Sequence, residues 1–144
     1  MRNPIRLAAV LAAGMFASQS FAAVTISAPW LRATPPGVSI GAGYGTLAND
    51  GDGARTIVRI ETAAAASAAI YSMSHDGGMM QMREVDALEV PAHGSVALVP
   101  GHGYHLMLTG LKQPLAEGQS VPVTFVLDDG TKLNVDFPVR AAAP

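Results

Sequence analysis

The 144-residue chain contains no cysteine. Disulfides, thiolate-ligated metal centres and thiol redox chemistry are therefore excluded together. Long apolar runs are missing too. The stretch Leu7 to Phe16 is too short to span a bilayer as a helix, and no later segment is longer. Charge is sparse, at 14% of residues, and it gathers in no basic patch. Nucleic acid and anionic lipid are poor partners for such a surface. Tryptophan occurs once, at Trp30, and is read as a structural anchor.

What is present starts with a leader. Arg2 and Arg6 precede the apolar run, and Ser20-Phe21-Ala22 puts small residues at the −3 and −1 positions. This predicts a secretory signal over residues 1–22, cleaved before Ala23, and a periplasmic protein. The remaining single domain, 23–144, loses those two arginines and keeps 7 basic against 11 acidic residues, a net charge of −4. A chain of that length buries roughly two thirds of its unfolded surface, so it can fold without disulfides.

Short alternating segments separated by turn residues fill the domain. Val24–Ser27, Ile40–Ala48, Thr56–Glu61, Ala69–Met73, Met79–Val85, Leu88–Val90, Ser95–Val99 and Tyr104–Thr109 read as strands. Val121–Leu127 and Lys132–Val139 form a hairpin across Asp128-Asp129-Gly130. Trp30–Gly37, with its Pro-Pro-Gly, reads as a connection. The alanine-rich stretch Ala63–Ala69 reads as another. With no amphipathic helix, the pattern gives an all-β antiparallel sandwich or Greek-key barrel.

Methionine and histidine are distributed unevenly. Beyond the leader, Met73, Met79, Met80, Met82 and Met107 and all four histidines (His75, His93, His102, His105) fall between residues 73 and 107. Methionine used as core filler scatters over all core strands. A thioether and imidazole set without thiolate suits Cu(I). Alternation puts His105 and Met107 on one face of their strand, with Tyr104, Leu106 and Leu108 on the other, the core face. Met80 and Met82 share a face, as do Tyr71 and Met73 across the hairpin. His75 is expected at the tip of that hairpin, beside these pairs, where a four-ligand cluster can form. His93 reads as a surface turn residue, and His102 as either an auxiliary ligand or a loop residue.

These residues carry a resemblance. Ala28-Pro-Trp-Leu-Arg-Ala-Thr-Pro-Pro-Gly37, Asp76-Gly-Gly-Met-Met-Gln-Met-Arg83, Gly103-Tyr-His-Leu-Met-Leu108 and Leu111-Lys-Gln-Pro-Leu-Ala-Glu-Gly118 resemble the periplasmic copper chaperones called PCuAC over nearly the whole mature chain. The resemblance implies a cupredoxin-like β-sandwich. It also implies Cu(I) delivery towards cytochrome c oxidase, directly or through a thiol copper carrier. The family's metal signature is similar to His-x10-Met-x21-His-x-Met. Met82 matches its first Met, and His105 and Met107 match its final pair, with 22 intervening residues instead of 21. Tyr71 stands where the family has its first His, and a phenol is a poor Cu(I) donor. His75 is taken as the substitute, with Met73 and Met80 as alternatives.

The expected function is a monomeric Cu(I) metallochaperone with an exposed Met/His site made from His75, Met82, His105, Met107, Met73 and Met80. A copper enzyme fits less well. Ala23 is not the N-terminal histidine that a histidine brace needs, and no nucleophile elbow, zinc motif or phosphate loop occurs. The alternative is a secreted β-sandwich binding module that has lost the full copper site.

Overall fold

Alternation of apolar and polar residues produces ten strands in the computed structural model, which describes residues 23–141. The expected leader at 1–22 lies outside the described residues. The strands are β1 (Val24–Arg32), β2 (Ile40–Asn49), β3 (Arg55–Glu61), β4 (Ala65–Asp76), β5 (Met79–Val85), β6 (Leu88–Val90), β7 (Ser95–Leu98), β8 (Gly103–Leu111), β9 (Ser120–Leu127) and β10 (Lys132–Arg140). No helix occurs among the described residues.

Neighbours run β5-β4-β8-β7-β2-β1-β10-β9-β3-β6, and β2 also pairs with β8. A short contact between β3 and β4, at Ile60 and Ala68, closes the sheet on itself as a barrel-like sandwich. The ladders are antiparallel except β1–β10 and β7–β8. Inside lie Leu31, Leu47, Ile70, Leu98, Leu106, Leu108, Phe125 and Phe137, each at most 2% exposed. Gly43 leaves room for the core side chains of neighbouring strands: a Cβ there would lie 2.7 Å from Leu31 Cδ2. Asn49 is one of two buried polar residues among those described, and it is fully used. Its Nδ2 donates to the carbonyls of Gly53 and Val90, and its Oδ1 accepts from the Gly51 N–H. The 49–53 turn is thereby tied to β6.

Parts of two segments read as connections are strand, at Trp30–Arg32 and Ala65–Ala69, while residues 33–37 do form a connection. The first strand does not end at Ser27. The register shifts between Ser27 and Trp30, with Ala28 at φ 49°, and pairing then resumes through Leu31. Pro29 is tolerated because it sits in that bulge. Residues 65–69 are strand as well, since β8 offers them a ladder from Ala65–Leu111 to Ala69–Met107. Their small side chains permit close approach: a Cβ on Gly110 would lie 2.8 Å from Ala66 Cβ. Local alanine composition is silent about such a partner.

Candidate metal centre

The register fixes which donors share a surface. Tyr71 of β4 lies directly opposite His105 of β8 and Glu84 of β5. One step along, Met73 faces Met82 and Gly103. One step the other way, Ala69 faces Met107. Beyond Met73, His75 faces Met80. Opposed residues point to the same side of a sheet. The six candidate donors Met73, His75, Met80, Met82, His105 and Met107 therefore all lie on one face, the one turned away from Ile70 and Leu106.

The donors are not equally exposed. His105 is 5% exposed, which corrects the expectation of an exposed imidazole. An aromatic ring covers it from the β4 side. Tyr71 stacks on His105 with ring centroids 6.2 Å apart and planes at 26°. On the other flank, Gly43 pairs with Leu106, so Tyr44 is the next residue of β2 towards His105. Tyr44 is itself covered by Trp30, at 4.7 Å between centroids, and by the Arg32 guanidinium 5.6 Å above its ring. Met73 and Met107 are half-buried, while His75, Met80 and Met82 are exposed.

Burial leaves His105 in an unusual condition. Its Nδ1 is enclosed and has no hydrogen-bond partner. Desolvation lowers its pKa below the ordinary 6.5, so the ring is neutral at pH 7. A buried polar nitrogen left unpaired costs folding free energy. A neutral imidazole with an unengaged nitrogen, flanked by thioethers, is a ready donor for a soft ion. Among the described residues no three His, Asp or Glu side chains gather in one place. A site built only from hard or borderline donors has no counterpart here.

His75 is not a turn residue. It lies within β4, four positions beyond Tyr71, which is about 13 Å along the strand. It therefore cannot occupy the place of the side chain at 71. Met73 lies diagonal to His105, about 7–8 Å away backbone to backbone. Met107 is two residues from His105 on the same strand. His93 lies outside the cluster, with its Nε2 2.9 Å from Asp52 Oδ1 in a surface turn. His102 is exposed in the loop before β8. A groove of about 500 Å³ lined by Lys112, Leu115 and Val121 contains no methionine or histidine. The donors lie on the sheet face apart from that groove. Sequence reasoning missed Tyr44 and Arg32, because only the β1–β2–β8 register brings Tyr44 towards His105 and Arg32 over Tyr44.

A family model described as "Putative lipoprotein LpqE-like" matches residues 24–139. The chain is 34% identical over 118 residues to "Putative lipoprotein Lxx21020" of Leifsonia xyli subsp. xyli, an alignment covering 81% of this chain and 69% of that one. Among solved structures it resembles CuI-DR1885 from Deinococcus radiodurans with a TM-score of 0.68 and 35% identity, covering 85% of this chain and 81% of that one. The apo PCuAC domain from PmoF1 gives a TM-score of 0.71 at 23% identity, covering 84% and 96% of the two chains, a likeness of fold.

Proposed function

The chain belongs to the LpqE-like family and has the PCuAC fold, and from that premise we propose that it is an exported Cu(I)-binding metallochaperone. Residues 1–22 would direct export and be removed, leaving 23–144 to act in the periplasm. The relative from Deinococcus radiodurans is described with Cu(I), and the donors here suit the same ion. The observation that carries the reading is His105: buried, neutral and unpartnered at Nδ1, on a face that also bears Met73, Met82 and Met107.

His105 and Met107 would supply two donors from β8, and Met82 a third by reaching across β4. Met73 is better placed than His75 to make up for Tyr71, because it opposes Met82 and lies diagonal to His105. Holding and passing on an ion requires only ligand exchange, so no general acid or base is needed. Thioethers do not titrate, whereas imidazole must be neutral to bind. Delivery towards cytochrome c oxidase, or to a thiol carrier, would follow the family's pattern.

The test is a titration of the protein from Ala23 onward with Cu(I), under reducing conditions, against a coloured chelator. One-to-one competition that His105→Ala, Met107→Ala and Met82→Ala each weaken is the expected result. Wild-type affinity in His105→Ala would sink the assignment. An absence of competition in the wild type would favour the other reading, a binding module in which the phenol of Tyr71 has cost the chain its copper site.

A further inference from the structure

We propose that the β4–β5 hairpin carries a second site for a soft monovalent ion, Cu(I) or Ag(I), centred on His75 and Met80, bordered by Met73 and Met82, and distinct from the centre at His105. The inference rests on the reading that this face handles Cu(I).

The turn creates the site. Gly77 and Gly78 have φ of 60° and 81°, positive values that a two-residue hairpin loop of the primed type requires. With Asp76 closing on Met79, that loop fixes His75 opposite Met80 and Met73 opposite Met82. A slip of one residue would send Met80 and Met82 to the other side. The two faces of the hairpin differ sharply in chemistry. One bears Met73, His75, Met80 and Met82. The other bears Ser72, Ser74, Asp76, Gln81 and Arg83, with Met79 alone among them. Unselective use of methionine as filler would not sort the donors in this way.

The four donors form two adjacent cross-strand pairs. Opposed Cβ atoms lie about 5 Å apart and the two pairs about 7 Å from each other. A point above the centre of this array is about 4 Å, measured in the plane of the sheet, from every Cβ. Thioethers and imidazoles can lean in over that distance. His105 cannot join them. It lies level with Tyr71, about 13 Å along the strands from His75 and one strand over, and it is buried. One ion therefore cannot bind both histidines. Met73 and Met82, which oppose each other, stand at the border between the two sites. If both serve the inner centre, the opposed pair His75 and Met80 still remains for the tip, and two donors suffice for a soft monovalent ion.

Packing does not account for these side chains. β5 is an edge strand whose only neighbour among the described residues is β4. Met80 and Met82 are 56% and 44% exposed, so little apolar burial holds them in place. Edge strands usually carry charge to discourage pairing with other chains. On this face thioethers take that position instead, and a soft ion is the ligand they suit.

The experiment titrates purified protein with Ag(I) and with Cu(I), reading stoichiometry by mass spectrometry under native conditions and methionine methyl and histidine ring signals by NMR. Two ions per chain are expected. His75→Ala/Met80→Leu should reduce this to one and leave the Met107 and His105 shifts in place. His105→Ala should also reduce it to one, with His75 and Met80 still shifting. Saturation at one ion with His75 and Met80 unmoved would overturn this proposal alone. No ion bound at all would overturn the Cu(I) reading as well.

Discussion

Replacing His105 with leucine should make the ion-free domain at least as stable as the wild type while removing its Cu(I) affinity. The buried Nδ1 has no partner, and an unsatisfied buried polar group costs about 1–3 kcal/mol. Leucine is of similar size and removes that cost. It also removes the stack on Tyr71, and aromatic pairs are worth about 0.5–1.5 kcal/mol beyond area. The net expectation is a gain of about 0–2 kcal/mol, or a few degrees in melting temperature for a chain of this size. Phenylalanine would keep a stack, but overpacking typically costs about 1–3 kcal/mol. The pH dependence has a definite sign. The unfolded chain takes up this proton near 6.5, whereas desolvation lowers the folded value. Below 6.5 the unfolded state therefore binds more protons, and wild-type stability falls with pH. His105→Leu removes that loss, so its advantage should widen between about pH 7.5 and about pH 5.5. Thermal unfolding followed by circular dichroism at both pH values measures this directly. A leucine variant less stable than the wild type by more than about 1 kcal/mol would refute the reasoning, since His105 would then be a structural residue whose nitrogen is satisfied.

Tyr71→His should tighten Cu(I) binding at least about tenfold, since even outer-shell changes at metal sites move affinity about 10–100-fold; an unchanged competition curve would show that position 71 does not face the ion. Asn49→Ala should cost about 2–4 kcal/mol in urea unfolding, because three hydrogen bonds are lost and the Val90 carbonyl stays buried without its donor. Gly43→Ala should cost about 1–3 kcal/mol by the same measurement, as its methyl would meet Leu31 at 2.7 Å and Leu106 at 3.0 Å.

The sequence was most legible where neighbouring residues decide the outcome. Asp128 to Gly130 marks the hairpin between β9 and β10, and the alternation in Tyr104–Leu108 correctly puts Leu106 and Leu108 in the core. Gly77-Gly78 marked the β4–β5 turn, although His75 proved to lie in the strand before it. The failures share one cause. Residues 65–69 look like a connection until β8 supplies a ladder, and Trp30–Arg32 look like a loop until the bulge at Ala28 restores pairing with β2. The burial of His105 belongs to the same class. It depends on Tyr71, which lies 34 positions away in the sequence and stacks on it, and no local pattern contains it.

That burial also changes what Tyr71 means. From the sequence alone, a phenol in place of an imidazole reads as the loss of a ligand. In the fold, its ring is part of the cover that keeps water from His105, and desolvation is what keeps His105 neutral. Tyrosine at 71 therefore exchanges a donor for a lower pKa at the donor that remains. On this argument Tyr71→His gains a ligand but exposes His105 to titration. Its improvement in Cu(I) affinity should be largest near neutral pH and shrink on acidification, as two imidazoles then compete with protons for their lone pairs. Wild-type affinity should fall less steeply, because it has one fewer imidazole to lose. Parallel pH profiles for the two proteins would contradict this account of Tyr71.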